Sequence, residues 1–184
     1  MEIETKRLIL REYRMDDWPE VLAYQSDPRY QRYYPITERT PEEAQEFVKM
    51  FLDQQQEQPR RKFQLAATLK INRKLIGNCG IRMDTADAHQ ADLGYEFSPE
   101  YWGKGYATEA AQAMVEYGFT ILHLHRIWSW CIAENRGSAR VLEKLGMQRE
   151  GRLRENEYFK DRWWDTLVYG ILESEWKAQQ QNRR

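Results

Sequence analysis

The chain has little cysteine, little histidine and no surplus of either charge, and each shortage narrows what it can be. Its two cysteines, Cys79 and Cys131, stand apart without C-x-x-C spacing, so neither a zinc ribbon nor a redox pair is indicated and both read as small buried hydrophobes. Of three histidines, His123 and His125 are spaced like two ligands on one strand face, but no nearby carboxylate or cysteine completes a set, and no metal is expected. Lys and Arg total 28 against 29 Asp and Glu, so no global basic field draws nucleic acid and any polyanion contact must be local. No apolar run approaches the roughly 20 residues of a membrane helix, and the opening MEIETKRLIL lacks a charged-then-apolar leader. The expectation is a soluble, cytoplasmic protein, monomer or homodimer, with no nucleic-acid or membrane partner.

What is present is aromatic and apolar. A hydrophobic fraction of 41% with seven Trp and eleven Tyr supports a folded globule. At 184 residues the chain is expected to form a single domain over residues 1–176, with a fraying tail at 177–184. Taken in order, Ile3 to Arg14 alternates as a first strand, and Asp16 or Asp17 is placed to cap a following helix. Residues 27–39 read as an ordered loop or short helical turns. Thr40-Pro41-Glu42-Glu43 is a helix start, with cap, proline and acids in sequence. Residues 63–71 and 75–83 form a hairpin turning at Asn72-Arg73-Lys74. Residues 125–133 are a further strand, and 135–145 a short helix ended by Gly146. Residues 152–159 and 163–172 form a closing hairpin that turns at Lys160-Asp161. This order suits an α+β fold, a largely antiparallel sheet with helices on its faces.

The centre of the chain is Asp92 to Thr120. Leu93, Tyr95 and Phe97 alternate with Asp92, Gly94 and Glu96 as in a strand, and Ser98-Pro99 stops it. Gly103-Lys104-Gly105 then leads into apolar residues at helical spacing from 107 onward. A helix start leaves backbone N–H groups unpartnered and carries partial positive charge, and glycines let an anion approach closely, so 103–108 is a candidate phosphate cradle. The turn alone is equally consistent with glycine used for a tight bend. The spacing fits neither a P-loop nor a dinucleotide fingerprint, which needs a third glycine at 108.

Trp102-Gly103-Lys104-Gly105-Tyr106-Ala107 resembles the acetyl-coenzyme A motif of the GCN5-related N-acetyltransferase (GNAT) superfamily, with Trp102 in place of the usual Arg or Gln. The longer YWGKGYATEA is similar to the RimJ/RimL-type subgroup, named for acetylating ribosomal-protein N-termini. Asn135-x-x-Ser138-x-x-Val141-Leu142-Glu143-Lys144-Leu145-Gly146-Met147 resembles the family's second block. Thr5 to Arg11 and Trp163-Trp164-Asp165 are similar to that subgroup's opening and closing segments. The resemblance implies a GNAT fold with a twisted, mostly antiparallel central sheet, acetyl-coenzyme A as cosubstrate, and a primary amine as acceptor, either a protein N-terminus or a small amine. An enzyme is expected; the alternative is a noncatalytic acyl-coenzyme A-binding module.

The same resemblance distributes roles. Phe97 and Ser98 would offer backbone groups to pantetheine, and Trp102, Gly103, Lys104, Gly105, Tyr106, Ala107 and Thr108 would hold the pyrophosphate. Asn135 would meet the pantetheine amides, although it also reads as a helix cap. Lys104, Arg140 and Lys144 are candidate phosphate partners by charge. An amine attacks only when neutral, so a base assists, and an acid helps the thiolate depart. Glu96 and Asp92 share one strand face and are the candidate bases, Glu96 being nearer the turn; a solvated charged face is the other reading. The tyrosine acid that many relatives carry falls here on Leu142, so that role is vacant and Ser138 is the candidate donor to sulfur. Tyr30, Tyr33, Tyr34, Trp163 and Trp164 are candidates for an acceptor groove or for core.

Overall fold

The computed structural model describes residues 1–182. The elements run β1 (Glu2–Glu4), β2 (Leu8–Arg11), α1 (Trp18–Gln25), α2 (Pro28–Gln31), α3 (Pro41–Gln55), β3 (Lys62–Leu69), β4 (Leu75–Arg82) and β5 (Gln90–Phe97). They continue with α4 (Tyr106–Thr120), β6 (Arg126–Ile132), α5 (Arg136–Lys144), β7 (Gln148–Phe159), β8 (Arg162–Leu172) and α6 (Glu173–Asn182). All eight strands join one sheet in the order β1-β2-β3-β4-β5-β6-β8-β7.

Every neighbouring pair is antiparallel except β5 and β6, which run parallel. Their pairing is short, from Gln90 opposite Arg126 to Asp92 opposite Trp128. Ser129 Oγ still reaches Leu93 O at 2.8 Å, but from there to Phe97 the β6-facing edge of β5 has no strand partner among the described residues. The sheet therefore splits along its middle, and the split is where a ligand can enter.

The two faces of the sheet are covered separately. On one face Ala110, Ala111, Met114 and Val115 of α4 pack with Leu93, Ile81, Leu65 and Leu142 in the main core. This is the helical stripe that apolar residues at i, i+3 and i+4 produce. On the other face Val21 and Tyr24 of α1 and Val48 and Phe51 of α3 meet Tyr13, Ala66 and Leu75. The α3 start is the expected capping box: the Glu43 N–H donates to Thr40 Oγ1 (3.2 Å) and the Thr40 N–H to Glu43 Oε2 (2.9 Å). The β7–β8 turn has φ of 52° at Lys160 and 57° at Asp161, the two left-handed residues that a two-residue hairpin loop requires.

Three sequence expectations are corrected. The first strand is broken, because the Thr5 N–H bonds Leu8 O (2.9 Å) while the Leu8 N–H bonds Thr5 Oγ1 (3.0 Å), folding β1 back onto β2. Asp17 precedes α1 but its carboxylate does not cap it; it accepts from the Arg11 guanidinium (2.8 and 2.6 Å) and from the Arg14 N–H (2.7 Å). The described part of the tail expected to fray over 177–184 is helical, in α6 from Glu173 to Asn182, held by Trp176 against Phe119 (ring centroids 5.4 Å apart) and by Gln179 donating to Gly146 O (3.2 Å); residues 183 and 184 lie outside the described residues. Among the described residues no helix is long and apolar enough to cross a membrane.

Candidate active site

A cavity of about 1130 Å³ occupies the split between β5 and β6. One half is lined by Phe97, by the turn and first residues of α4, and by the start of α5; the other by α2, the segment after it, and the β8 hairpin. Tyr95 and Glu96 lie at the junction.

The first half gathers unpartnered backbone donors. Gly103 and Gly105 have φ of 74° and 82°, a left-handed backbone that side-chain-bearing residues adopt at a cost. The first bond into α4 is from the Glu109 N–H to Gly105 O (3.0 Å). Among the described residues the N–H groups of 103–108 have no protein acceptor, which leaves six donors around one helix start. Arg7 fixes this loop from outside: its guanidinium donates to Lys104 O (2.9 Å) and to Glu109 Oε2 (2.7 Å), and lies over the Tyr106 ring, 4.2 Å from its centroid. The Glu109 carboxylate also accepts from Thr5 Oγ1 (2.7 Å) and the Arg7 N–H (2.6 Å). Burial by itself raises the Glu109 carboxyl, but these bonds from Thr5 and Arg7 together hold it below the usual carboxylate range.

The strand edge supplies further donors. The Ser98 N–H bonds Ile76 O (2.8 Å), so by the alternation of an antiparallel ladder the backbone groups of Phe97 and Tyr95 face away from β4. Phe97 O is taken by Trp102 Nε1 (2.7 Å), which ties the turn to the strand end; the Phe97 N–H is left for a ligand. Asn135 Oδ1 caps α5 by accepting from the Ser138 N–H (3.1 Å), while its Nδ2 has no protein partner among the described residues. Cap and ligand donor are thus different atoms of one side chain.

Glu96 is held by residues far from it in sequence. Its Oε1 accepts from Tyr24 Oη (2.6 Å), Gln25 Nε2 (3.0 Å) and Asn78 Nδ2 (2.9 Å), and its Oε2 from Tyr30 Oη (2.5 Å). Gly77 lets β5 approach at this point, since a Cβ there would lie 2.2 Å from Glu96 O. Burial and then the Glu96 charge push the Tyr24, Tyr30 and Tyr34 phenols up, so they remain protonated donors. Tyr95 Oη sits 2.9 Å from Ser138 Oγ and 3.0 Å from Ser138 O, and burial raises its phenol too.

The structure brings Glu96, Phe97, Trp102, Gly103, Gly105, Tyr106, Ala107, Thr108, Asn135 and Ser138 to this one cavity. Asp92, Ser98 and Lys104 do not line it. Asp92 is ion-paired with Arg82, whose Nε donates at 2.8 Å, and both Ser98 backbone groups are engaged, the carbonyl by the Tyr101 N–H (2.9 Å). The Lys104 ammonium lies over the Tyr101 ring, 5.2 Å from its centroid. Tyr24, Gln25, Asn78 and Tyr95 were not singled out from the sequence. Asn78 did leave a signal, a polar side chain inside the apolar run of β4 that needs a buried partner. Tyr24 and Gln25 left none.

A family model described as an acetyltransferase (GNAT) domain matches residues 7–148. The chain belongs to the GNAT family. It is 40% identical over 176 residues to YnaD of Bacillus subtilis, an uncharacterised N-acetyltransferase, covering 96% of this chain and 99% of the relative. A solved GNAT-family acetyltransferase from Bacillus anthracis is 35% identical and superposes with a TM-score of 0.82, covering 95% of this chain and 99% of that one. The spermidine N(1)-acetyltransferase of Escherichia coli strain K12 is 31% identical over 90 residues, 49% of this chain and 48% of the relative. The fold is the GNAT acyltransferase fold and the protein is an acetyltransferase. GNAT enzymes draw acetyl from acetyl-coenzyme A. The chemistry of the residues here suits that cosubstrate: open N–H groups at 103–108 would meet the pyrophosphate beside cationic Arg140 and Lys144, and the Phe97 N–H and Asn135 Nδ2 would meet the pantetheine amides.

Proposed function

We propose that this GNAT enzyme acetylates a primary amine held beside Glu96, either the α-amine of a protein N-terminus, as in RimJ/RimL-type relatives, or the amine of a small molecule. The observation that carries this reading is the continuity of one cavity from the donor-lined α4 turn to a fixed, half-buried carboxylate. Acetyl-coenzyme A supplies a thioester carbonyl; the C–N bond forms as the C–S bond breaks, the amine loses a proton and the thiolate gains one.

Glu96 takes the amine proton at Oε2. Three donors fill Oε1, whereas among the described residues Oε2 accepts only from Tyr30 and keeps one acceptor position. Asp92, neutralised by Arg82 and outside the cavity, serves the sheet instead. Ser138 donates toward the departing sulfur. Its hydroxyl is oriented by Tyr95 Oη, 2.9 Å away on β5, while Leu142 on α5 is fully buried and carries no polar group.

A screen of free-thiol release from acetyl-coenzyme A tests this, with peptides beginning Ala, Ser or Thr beside small amines. Stoichiometric acetyl-amine and thiol are expected for at least one class. Tight coenzyme A binding with no amine accepted would instead support the noncatalytic binding module.

A further inference from the structure

The acceptor half of the cavity carries an ordered pattern of charge. At its inner end Glu96 is negative and is met only by neutral donors. At its exposed edge stand Arg32 and Lys160. Arg32 makes no ion pair among the described residues, and its guanidinium lies over the Tyr33 ring, 5.4 Å from the centroid. The Lys160 ammonium donates to the neutral carbonyl of Gln31 (2.5 Å). Arg29 and Arg162, on the same wall, are matched by Asp27 (2.6 Å) and Glu134 (2.9 Å). Among the described residues of this half, what is left unneutralised is one negative charge inside and two positive charges at the edge.

We infer that the acceptor is an amine whose molecule also carries an anionic group, a carboxylate or a phosphate, bound with nitrogen toward Glu96 and anion toward Arg32 and Lys160. The inference rests on the acetyl-transfer reading above. A dipolar acceptor meets a charge of opposite sign at both ends, whereas a polyamine would set a second ammonium against Arg32 and Lys160, a like-charge contact that selects against it. Tyr33 and Tyr34 offer ring surface to the body of the molecule between its two charged ends. Free amino acids and aminoalkyl phosphates share this chemistry.

The test compares matched acceptors: phenylalanine with its amide, O-phosphoethanolamine with ethanolamine, and spermidine alongside. Rates are measured for the wild type and for Arg32→Gln and Lys160→Gln, each checked for folding by thermal melt and for coenzyme A binding by calorimetry. Both proteins see the same amines, so differences in amine basicity cancel when the anionic-over-neutral preference of variant and wild type are compared. That preference is expected to fall about fivefold on loss of one partly exposed charge, and to fall in the wild type with added salt. The phenylalanine and phosphoethanolamine pairs separate carboxylate from phosphate. An unchanged preference in both variants, or spermidine turned over faster than every anionic amine, overturns the inference. Turnover confined to neutral peptides beginning Ala, Ser or Thr overturns it while leaving acetyl transfer intact. No turnover of any amine by protein that binds coenzyme A overturns both.

Discussion

Among the described residues Glu96 keeps one open acceptor position, on Oε2, since two donors would fill Oε1, which accepts three, and Oε2 accepts one. Glu96→Gln keeps the shape and removes the proposed base. Turnover is expected to fall by about 10² to 10⁴-fold below the pKa of the acceptor amine and to recover in part as rising pH leaves the amine neutral unaided. A steady-state pH profile at saturating acetyl-coenzyme A measures this, and a loss of only about twofold at every pH would remove Glu96 as base. The position of Glu96 was legible, since the two-residue alternation of β5 and the turn after it place a carboxylate near the cofactor end. Its environment was not legible. Tyr24, Gln25 and Tyr30 arrive from 66 to 72 residues away, and no local pattern encodes which hydroxyl meets which oxygen.

At the scale of elements, the unit that matters is β5, the glycine turn and α4, and it is buttressed from the N-terminal strand pair. Arg7 clamps Lys104 O and the Glu109 carboxylate together, so the turn's shape depends on an ion pair between distant segments. The Glu109 carboxyl is held below its ordinary range, so it binds fewer protons in the folded state than in the unfolded chain. Its contribution is therefore complete above the unfolded value of about 4.3 and is lost as pH falls through the lower folded value. Glu109→Gln should melt below wild type at neutral pH, and the gap should close in acid below about pH 4; thermal melts across that range give the answer, and a gap constant with pH would contradict the assignment. The turn and α4 were readable because glycines and helical spacing are local signals. The break between β1 and β2 and the helix α6 were not, because a threonine side-chain bond makes the first and packing of Trp176 on Phe119 sustains the second.

For the molecule as a whole, the sheet has one parallel pair, and that pair opens after three residues to leave a cavity with unpartnered N–H groups in one half and Glu96 at its junction with the other. The alternation of strands and helices made a largely antiparallel sheet legible. The split was not, since it depends on how far β5 and β6 stay in register. On the proposed reading such a cavity holds both substrates at once, and neither cysteine is placed to take the acetyl group: Cys79 and Cys131 are buried in the core, and burial pushes the Cys131 thiol up to about 11. Acetyl should therefore pass directly from sulfur to amine. Initial rates with acetyl-coenzyme A and acceptor amine both varied test this most directly. Intersecting double-reciprocal lines, with no mass added to protein incubated with acetyl-coenzyme A alone, are the predicted result; parallel lines with a protein heavier by one acetyl group would contradict it.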